Sequence, residues 1–446
     1  MRGQETVMDR RVFGQIFLAT LGAPALPFST EEPKKNNRCI NLVEIRDQFR
    51  KDLFEDFLPF HNRFVVDHQY GGFLCSVRPN GERVSEEKLT WYQGRGLWVY
   101  SFLYNHIGRN PEALDVADGA YRIIQRCIPK GSLEFFPKQL NRDGTPASGP
   151  DKDIYGDMCV AEGLVEFSRA TGDLGHWHAA KEIVLKCIYN YDQPDYNPEI
   201  GQTYLGPGAK LFPGARVQGH WLVLIRVVSQ MLETRADADL QQVLDRSIDA
   251  LLNHHYNPRY QLISELLNHD LSRPSNEYEQ FVYAAHAIEV TWMIMYEARR
   301  TGNRSLFRRA GDLFKRHCEV ARDRVYGGLL RSLNHVDNNI WSLDKTLFPH
   351  QEAINGAMCL IESSGDPWAT EFFLDLNQYM HEKFSMKSLN SPLWQVAGDR
   401  WVTSDPAMSR AENYHQPRFL MLSLLAIERL IKAQGNSACT DSTTSV

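Results

Sequence analysis

Several signals are missing from this chain of 446 residues, and each absence narrows what it can be. Its eight cysteines (Cys39, Cys75, Cys127, Cys159, Cys187, Cys318, Cys359, Cys439) form no CxxC pair and no zinc-like spacing. That argues against a structural zinc module or a disulfide framework, and most of these cysteines read as small core residues in apolar helical context. No basic run or stripe stands out against a formal charge of −6, so no nucleic-acid partner is expected. No stretch reaches the roughly 18 apolar residues that a membrane-spanning helix needs, so no stable membrane insertion is expected. No long run alternates with period two, which sets aside an all-β fold.

What remains is ordinary soluble composition, 43 % hydrophobic and 23 % charged, in a chain long enough for two average domains or one large repetitive one. Residues 1–28 read as a leader: Arg10-Arg11 precede an apolar run from Val12 to Leu21, and Ala23-Pro24-Ala25 offers a cleavage site. Arg-Arg-x-Phe is similar to a twin-arginine export signal, which would place the protein in the periplasm; without export it would be cytoplasmic. Residues 29–40 read as a linker and 435–446 as a disordered tail.

Between them, residues 41–434 read as one domain of helices separated by Gly, Pro and Asn. The expected helices are Leu42–Val66, Trp91–Ile107, Glu112–Cys127, Tyr155–Thr171, Gly175–Tyr189, Gly219–Thr234, Ala238–His254, Glu279–Arg300, Arg304–Arg322, Gln351–Ser363, Ala369–Phe384 and Tyr414–Ala433. Short extended segments at Gly72–Val77 and Gly328–Leu333 suggest small β-hairpins in the loops. An internal repeat is visible: Tyr70–Trp98 resembles Tyr326–Gly356, each with Tyr-Gly-Gly, a polar loop, a Lys and an aromatic that opens a helix. Polar residues near alternate helix starts then form a ladder: Arg95, Met158 (flanked by Tyr155 and Asp157), His220, His286, Glu352 and His415. They recur every 62–66 residues, the length of two helices and their loops. Six helical hairpins predict a closed ring, an all-α toroid or (α/α)6 barrel, whose inner helix ends converge on one pocket.

The run Phe281–Glu297 is apolar nearly all round, as a buried helix is, yet it holds His286 and, one turn on, Glu289, placed to orient the imidazole. The ring would bring three histidines, Arg95, Glu289 and Glu352 into a cavity lined by Trp91, Tyr92, Tyr155, Trp221, Trp292, Phe348, Trp394 and Tyr414. Aromatic faces with a polar rim suit a sugar. Two histidines on opposite sides of a sugar carbon can remove a proton from one face and return it to the other, with an arginine holding the intermediate enediolate.

The pattern Lys88, Trp91-Tyr92-Gln93-Gly94-Arg95, then His286-Ala287-Ile288-Glu289 with Trp292, then Tyr414-His415-Gln416-Pro417-Arg418 resembles the N-acylglucosamine 2-epimerase superfamily. That superfamily also includes cellobiose and mannose 2-epimerases and aldose–ketose isomerases. The resemblance covers roughly residues 41–434 and implies an (α/α)6 barrel and proton transfer at carbon 2 of an open-chain mono- or disaccharide, with no metal or redox cofactor. It implies His286 and His415 as the acid/base pair and Arg95 as ligand of the oxygens on carbons 1 and 2. His220 would help ring opening or orientation, Glu289 would support His286, and Glu352 would orient a hydroxyl or a histidine. Trp91, Tyr155, Trp292, Trp394 and Tyr414 would contact or support the sugar. A homodimer is an open alternative to a monomer.

The chain departs from the usual family pattern at Ala215-Arg216-Val217-Gln218-Gly219 before His220, at Ala285 before His286, at Leu347-Phe348-Pro349-His350-Gln351 and at Ser404-Asp405-Pro406-Ala407-Met408. These changes leave the proton-transfer pair intact and leave the sugar itself open. Three alternatives remain: an aldose–ketose isomerase, a six-hairpin glycoside or unsaturated uronyl hydrolase using carboxylates such as Asp153, Asp157, Glu289 and Glu352, and a non-catalytic carbohydrate-binding protein.

Overall fold

Two kinds of helix alternate along the chain, and their composition decides where each one lies. The computed structural model describes residues 40–198, 200, 205, 209–403 and 410–441; the expected leader and nearly all of the linker fall outside these. One kind is amphipathic. In α3 (Pro111–Arg126) and α9 (Arg304–Ala321), buried positions such as Ala310, Leu313, Phe314, His317 and Ala321 follow the helical period, and the opposite faces are charged. The other kind is apolar nearly all round. In α6 (Gln218–Thr234) and α8 (Ala284–Thr301) most residues are buried, so such helices need neighbours on nearly every side.

The chain satisfies both demands by nesting one set inside the other. The outer helices are α1 (Leu42–Lys51, continuing in wider turns to Val65), α3, α5 (Leu174–Tyr191), α7 (Ala238–Asp249), α9 and α11 (Pro367–Lys383). The inner ones are α2 (Thr90–Phe102), α4 (Tyr155–Thr171), α6, α8, α10 (Leu347–Ser364) and α12 (His415–Asp441). Each inner helix packs on the next inner one and on the outer helices beside it. The ring closes where the segment before α12 meets α2: Tyr92 Oη donates to the Ala411 carbonyl at 2.9 Å, and Asn413 Nδ2 donates to the Tyr92 carbonyl at 3.0 Å. Residues Arg38–Val446 form one compact unit, an all-α toroid of six hairpins.

The two ends of the ring are built differently. From inner to outer helix the turns are tight. Gly172, Gly302 and Gly365 end α4, α8 and α10 in the left-handed region (φ 75°, 69° and 59°), and the next residue, Asp173, Asn303 or Asp366, caps the following helix. This is the usual division of labour between a C-terminal glycine and an N-capping Asp or Asn. From outer to inner helix the connections are long and carry the five two-stranded ladders found among the described residues. The inner helices all begin at that elaborated end.

The internal repeat proves to be one device used twice. Asp67 accepts the backbone N–H groups of Gln69 and Tyr70, while Lys88 Nζ, buried, meets its carboxylate at 3.0 Å and the Gly71 carbonyl at 2.6 Å. Asp323 accepts from Val325 and Tyr326, and Lys345 meets it at 3.2 Å and the Gly327 carbonyl at 2.6 Å. Arg142 and Arg400 complete the two copies, each bonded to its aspartate and lying over the ring of Tyr70 or Tyr326.

Some boundaries differ from expectation. Residues 279–283 are not helical, because Val282 exchanges both backbone hydrogen bonds with Leu333 at 2.9 Å, so α8 begins at Ala284. Helix α10 begins at Leu347, since a first-turn proline such as Pro349 has no intrahelical N–H bond to lose. Gly72–Val77 does not pair with itself: Phe73 bridges back to Val66 and Val77 to Arg83, and in the second copy Ser332–His335 pairs with Ile340–Ser342. The last helix continues through 435–441 instead of ending at Gln434, as an established helix adds residues at little cost. Cys75, Cys127, Cys159, Cys187, Cys318 and Cys359 are buried free thiols.

Candidate active site

At the elaborated end the inner helices surround a cavity of about 430 Å³, within the size range of small-molecule sites. Each inner helix delivers a side chain from its first turns: Arg95 from α2, Tyr155 from α4, His220 from α6, His286 from α8, Gln351 from α10 and His415 from α12 all line it. Helix N-termini carry partial positive charge, so a ring of them favours an anion at the centre.

His286 and His415 are held alike. The Nδ1 of His286 lies 3.1 Å from Glu265 Oε1, and the Nδ1 of His415 lies 2.8 Å from Glu352 Oε1. A carboxylate accepting from Nδ1–H makes Nε2 the basic nitrogen of the neutral ring. The Phe348 ring stands near both imidazoles, 6.2 Å from His286 and 5.1 Å from His415 between centroids. Burial, then the charges of Arg95 and Arg418, push the His415 imidazole well below the ordinary histidine range, against the pull of Glu412 and Glu289. His415 is therefore neutral at pH 7.

Glu265 is a correction to the expected partner of His286. The i, i+3 spacing puts Glu289 on the same helix face, but Glu289 Oε1 instead lies 2.6 Å from Arg418 Nη2. A buried guanidinium makes the stronger, charge-assisted bond. Glu265 arrives from another hairpin, where Leu266–Leu267 pairs with Arg216–Val217, and its Oε1 also accepts the Gly219 N–H at the start of α6, at 3.4 Å. It was legible only as a lone acid in the apolar stretch Leu262–Leu267.

Arg95 is buried, donates to Tyr155 Oη at 2.6 Å and lies over the rings of Trp91, Tyr155 and Tyr414. Burial opposes its charge, but Tyr155, Cys159, Glu412 and Tyr414 more than compensate and keep it protonated. Burial also raises the Tyr155 phenol to about 12 despite that cation. His220 Nε2 lies 2.9 Å from Asp153 Oδ1. Glu412, a cavity residue the spacing did not reveal, accepts the backbone N–H groups of Tyr414 and His415 at 2.8 and 3.0 Å. Burial raises its pKa, but His415, Arg410 and Arg95 outweigh that and keep it below the usual carboxylate value.

The expected aromatic lining is only partly realised. Trp91, Tyr155 and Phe348 face the cavity and Tyr283 joins them; Tyr92, Trp221, Trp292, Trp394 and Tyr414 do not. Trp394 packs against His381 and Phe419, away from the site, because its loop turns the indole toward the last helix and the outer wall. Trp292 and Tyr414 lie beneath the cavity as supports. Trp292 Nε1 donates to Glu352 Oε2 at 2.9 Å, and Tyr414 Oη donates to Glu162 at 2.5 Å while accepting from Arg418 at 2.8 Å. Glu289, Glu352 and His415 are the one group of three donors among the described residues close enough to share a metal ion. The Arg418 guanidinium lies 2.6 Å from both carboxylates and fills the cation's place between them.

The sequence and the fold are matched by known proteins. The family model described as N-acylglucosamine 2-epimerase (GlcNAc 2-epimerase) matches residues 71–416. The Bos taurus N-acylglucosamine 2-epimerase is 25 % identical over 341 residues, covering 72 % of this chain and 77 % of its own. The solved cellobiose 2-epimerase from Spirochaeta thermophila superposes with a TM-score of 0.73 at 18 % identity, over 87 % of this chain and 98 % of its own. A solved D-mannose isomerase gives 0.70 at 12 % identity, over 89 % and 99 %. The toroid with its histidine-lined cavity is thus that of an isomerase. More particularly, the chain belongs to the N-acylglucosamine 2-epimerase family.

Proposed function

We propose that the protein is a sugar 2-epimerase that moves a proton at carbon 2 of an open-chain aldose between His286 and His415. The observation that carries this reading is the matched pair of cavity-lining imidazoles, each fixed through Nδ1 by its own carboxylate. Neutral His415 takes the C2 proton. The electrons move into the C1–C2 bond and onto the C1 oxygen, and the resulting enediolate is held by Arg95 and the positive helix ends. His286, entering the step as the imidazolium, delivers its Nε2 proton to the other face, the carbonyl re-forms with inverted carbon 2, and exchange with solvent after release returns a proton to His286 and removes one from His415. Glu265 and Glu352 keep both rings in the working tautomer.

The cavity carboxylates argue against a hydrolase. A glycosidase needs a carboxylic acid whose pKa is raised so that it stays protonated. Asp153 and Glu412, which line the cavity, are both held below the usual value by cationic neighbours and hydrogen bonds that outweigh burial, and Glu289, the third lining carboxylate, is ion-paired with Arg418 at 2.6 Å. Burial raises Asp157 to about 6, but that residue lies outside the cavity, paired with Lys186.

The test is proton NMR in deuterated water with glucose, mannose, N-acetylglucosamine, N-acetylmannosamine and cellobiose. Deuterium at carbon 2 of an epimerised aldose is expected and names the substrate. Deuterium at carbon 1 of a ketose–aldose pair would replace the epimerase by an aldose–ketose isomerase, in which one histidine returns the proton to carbon 1. No exchange by folded protein with any of the five would overturn the reading.

A further inference from the structure

A sugar epimerised at carbon 2 must first be opened from its ring, and the groups around α4 and α6 suit that step. Of the two residues expected near here, the buried one is the histidine. The His220 side chain is 4 % exposed, while that of Asp153 is 23 % exposed, and both line the cavity. The His220 Nε2 is committed to Asp153 Oδ1 at 2.9 Å, and its Nδ1 is buried with no hydrogen-bond partner among the described residues. Tyr191 and Tyr196 lie with their rings toward the imidazole. This histidine therefore has no nitrogen to offer a substrate. A carboxylate beside Nε2 requires the proton on that nitrogen, which leaves Nδ1 as the bare one.

Asp153 is placed the other way round. Among the described residues both of its hydrogen bonds fall on Oδ1, from His220 and from the Tyr155 backbone N–H at 2.9 Å. Oδ2 accepts no hydrogen bond from the described residues, and Asp153 lines the cavity. The carboxylate stands just before the start of α4, close to the helix that presents Tyr155 to Arg95. Its partners hold it ionised and oriented, as a proton acceptor needs.

We propose that Asp153 is a catalytic residue that opens the sugar ring, with His220 as the positioning residue behind it; this rests on the epimerase reading above. Oδ2 takes the proton of the anomeric hydroxyl. The freed electron pair on O1 forms the C1=O bond, the C1–O5 bond breaks toward O5, and the Asp153 carboxyl returns the same proton to O5. The carboxylate is regenerated, no co-reactant is consumed, and the aldehyde stands ready for the two histidines.

Ring opening can be followed apart from epimerisation, as anomer interconversion. The freshly dissolved α-anomers of glucose, mannose and N-acetylglucosamine are monitored by NMR with wild-type protein, His286→Ala, Asp153→Asn and His220→Gln. Wild-type protein is expected to speed anomerisation of the sugar it exchanges at carbon 2. His286→Ala is expected to lose exchange at carbon 2 yet keep that acceleration. Asp153→Asn, which retains an acceptor for the Tyr155 N–H, is expected to lose about 10²-fold or more of it, and His220→Gln a smaller part. Unchanged anomerisation by folded Asp153→Asn would overturn the proposal, as would exchange at carbon 2 by wild-type protein without any acceleration of anomerisation. Loss of carbon 2 exchange from wild-type protein itself would instead count against the epimerase reading.

Discussion

Replacing Lys88 by Met tests the duplicated loop device, and its size can be worked out beforehand. The Lys88 side chain is wholly buried and reaches the Asp67 carboxylate at 3.0 Å and the Gly71 carbonyl at 2.6 Å. Methionine fills the space but leaves these two acceptors, and the Arg142 backbone carbonyl that Lys88 also reaches, short of a donor. Breaking one side of a buried ion pair costs about 3–5 kcal/mol. Arg142 still holds Asp67 at 3.0 Å, so the lower figure applies. A unit of about 400 residues unfolds with about 0.8 kcal/mol/K of entropy, taking about 2.1 cal/mol/K per residue. A loss of about 3 kcal/mol then lowers Tm by about 4 °C. Lys345→Met should do the same, since Arg400 holds Asp323 at 2.8 and 2.9 Å. The two sites share no partner, so the double variant should fall by about 8 °C.

Calorimetry at pH 7 checks all three variants. The pH dependence has a definite sign. Burial pushes Asp67 up, but Arg142 and Lys88 outweigh it and hold the carboxyl at about 2. A depressed pKa adds stability that is full above the ordinary carboxylate value and lost as pH falls through about 2. The gap between wild type and Lys88→Met should therefore persist from pH 5 upward and close near pH 2. A fall below 1 °C in either single variant, or a double variant no worse than one single, would refute the reasoning.

Glu352→Gln should cut kcat by about 10²–10⁴ with KM changed less than about threefold, measured on whichever sugar exchanges at carbon 2; a rise in KM with normal kcat would contradict its role as the anchor of His415. The acid limb of kcat/KM should lie below the ordinary histidine value of about 6.5, because burial and the Arg95 and Arg418 charges disfavour the His415 imidazolium; a limb at or above that value would count against His415 as the base. Gly94→Ala should destabilise by about 1–3 kcal/mol or more, since its Cβ would lie 2.4 Å from the Cys159 backbone carbonyl carbon, whereas Gly156→Ala meets nothing within 4 Å and should not; equal melting temperatures would disprove the close α2–α4 crossing. Turnover should survive exhaustive chelation, because Arg418 already bridges Glu289 and Glu352; loss of activity restored by a divalent ion would contradict this.

The ring was legible because it is periodic: the ladder from Arg95 to His415 marks a recurring unit, and the apolar character of α6 and α8 marks which helices lie inside. Local rules failed where a distant strand intervened. Val282 has the look of a helix residue, yet its pairing with Leu333 holds it extended. They failed again where two partners competed. Helix geometry offers Glu289 to His286, and only the fold brings Arg418 to claim the one and Glu265 to serve the other. Trp394 shows the same limit from the apolar side, since an indole in a loop can point to cavity or wall and its neighbours in sequence do not say which. Asp153 left a fainter trace, an acid two residues ahead of a helix start.

Closure of the ring ties the wall of the cavity to one of its imidazoles. His415 stands at the first position of α12, and the segment just before it makes the seal through Ala411 and Asn413 to Tyr92. Seam and imidazole therefore share one short stretch of chain. A change that loosens that stretch from α2 opens the wall and displaces the proposed proton carrier together, so the soundness of the ring and the placement of His415 are a single structural condition.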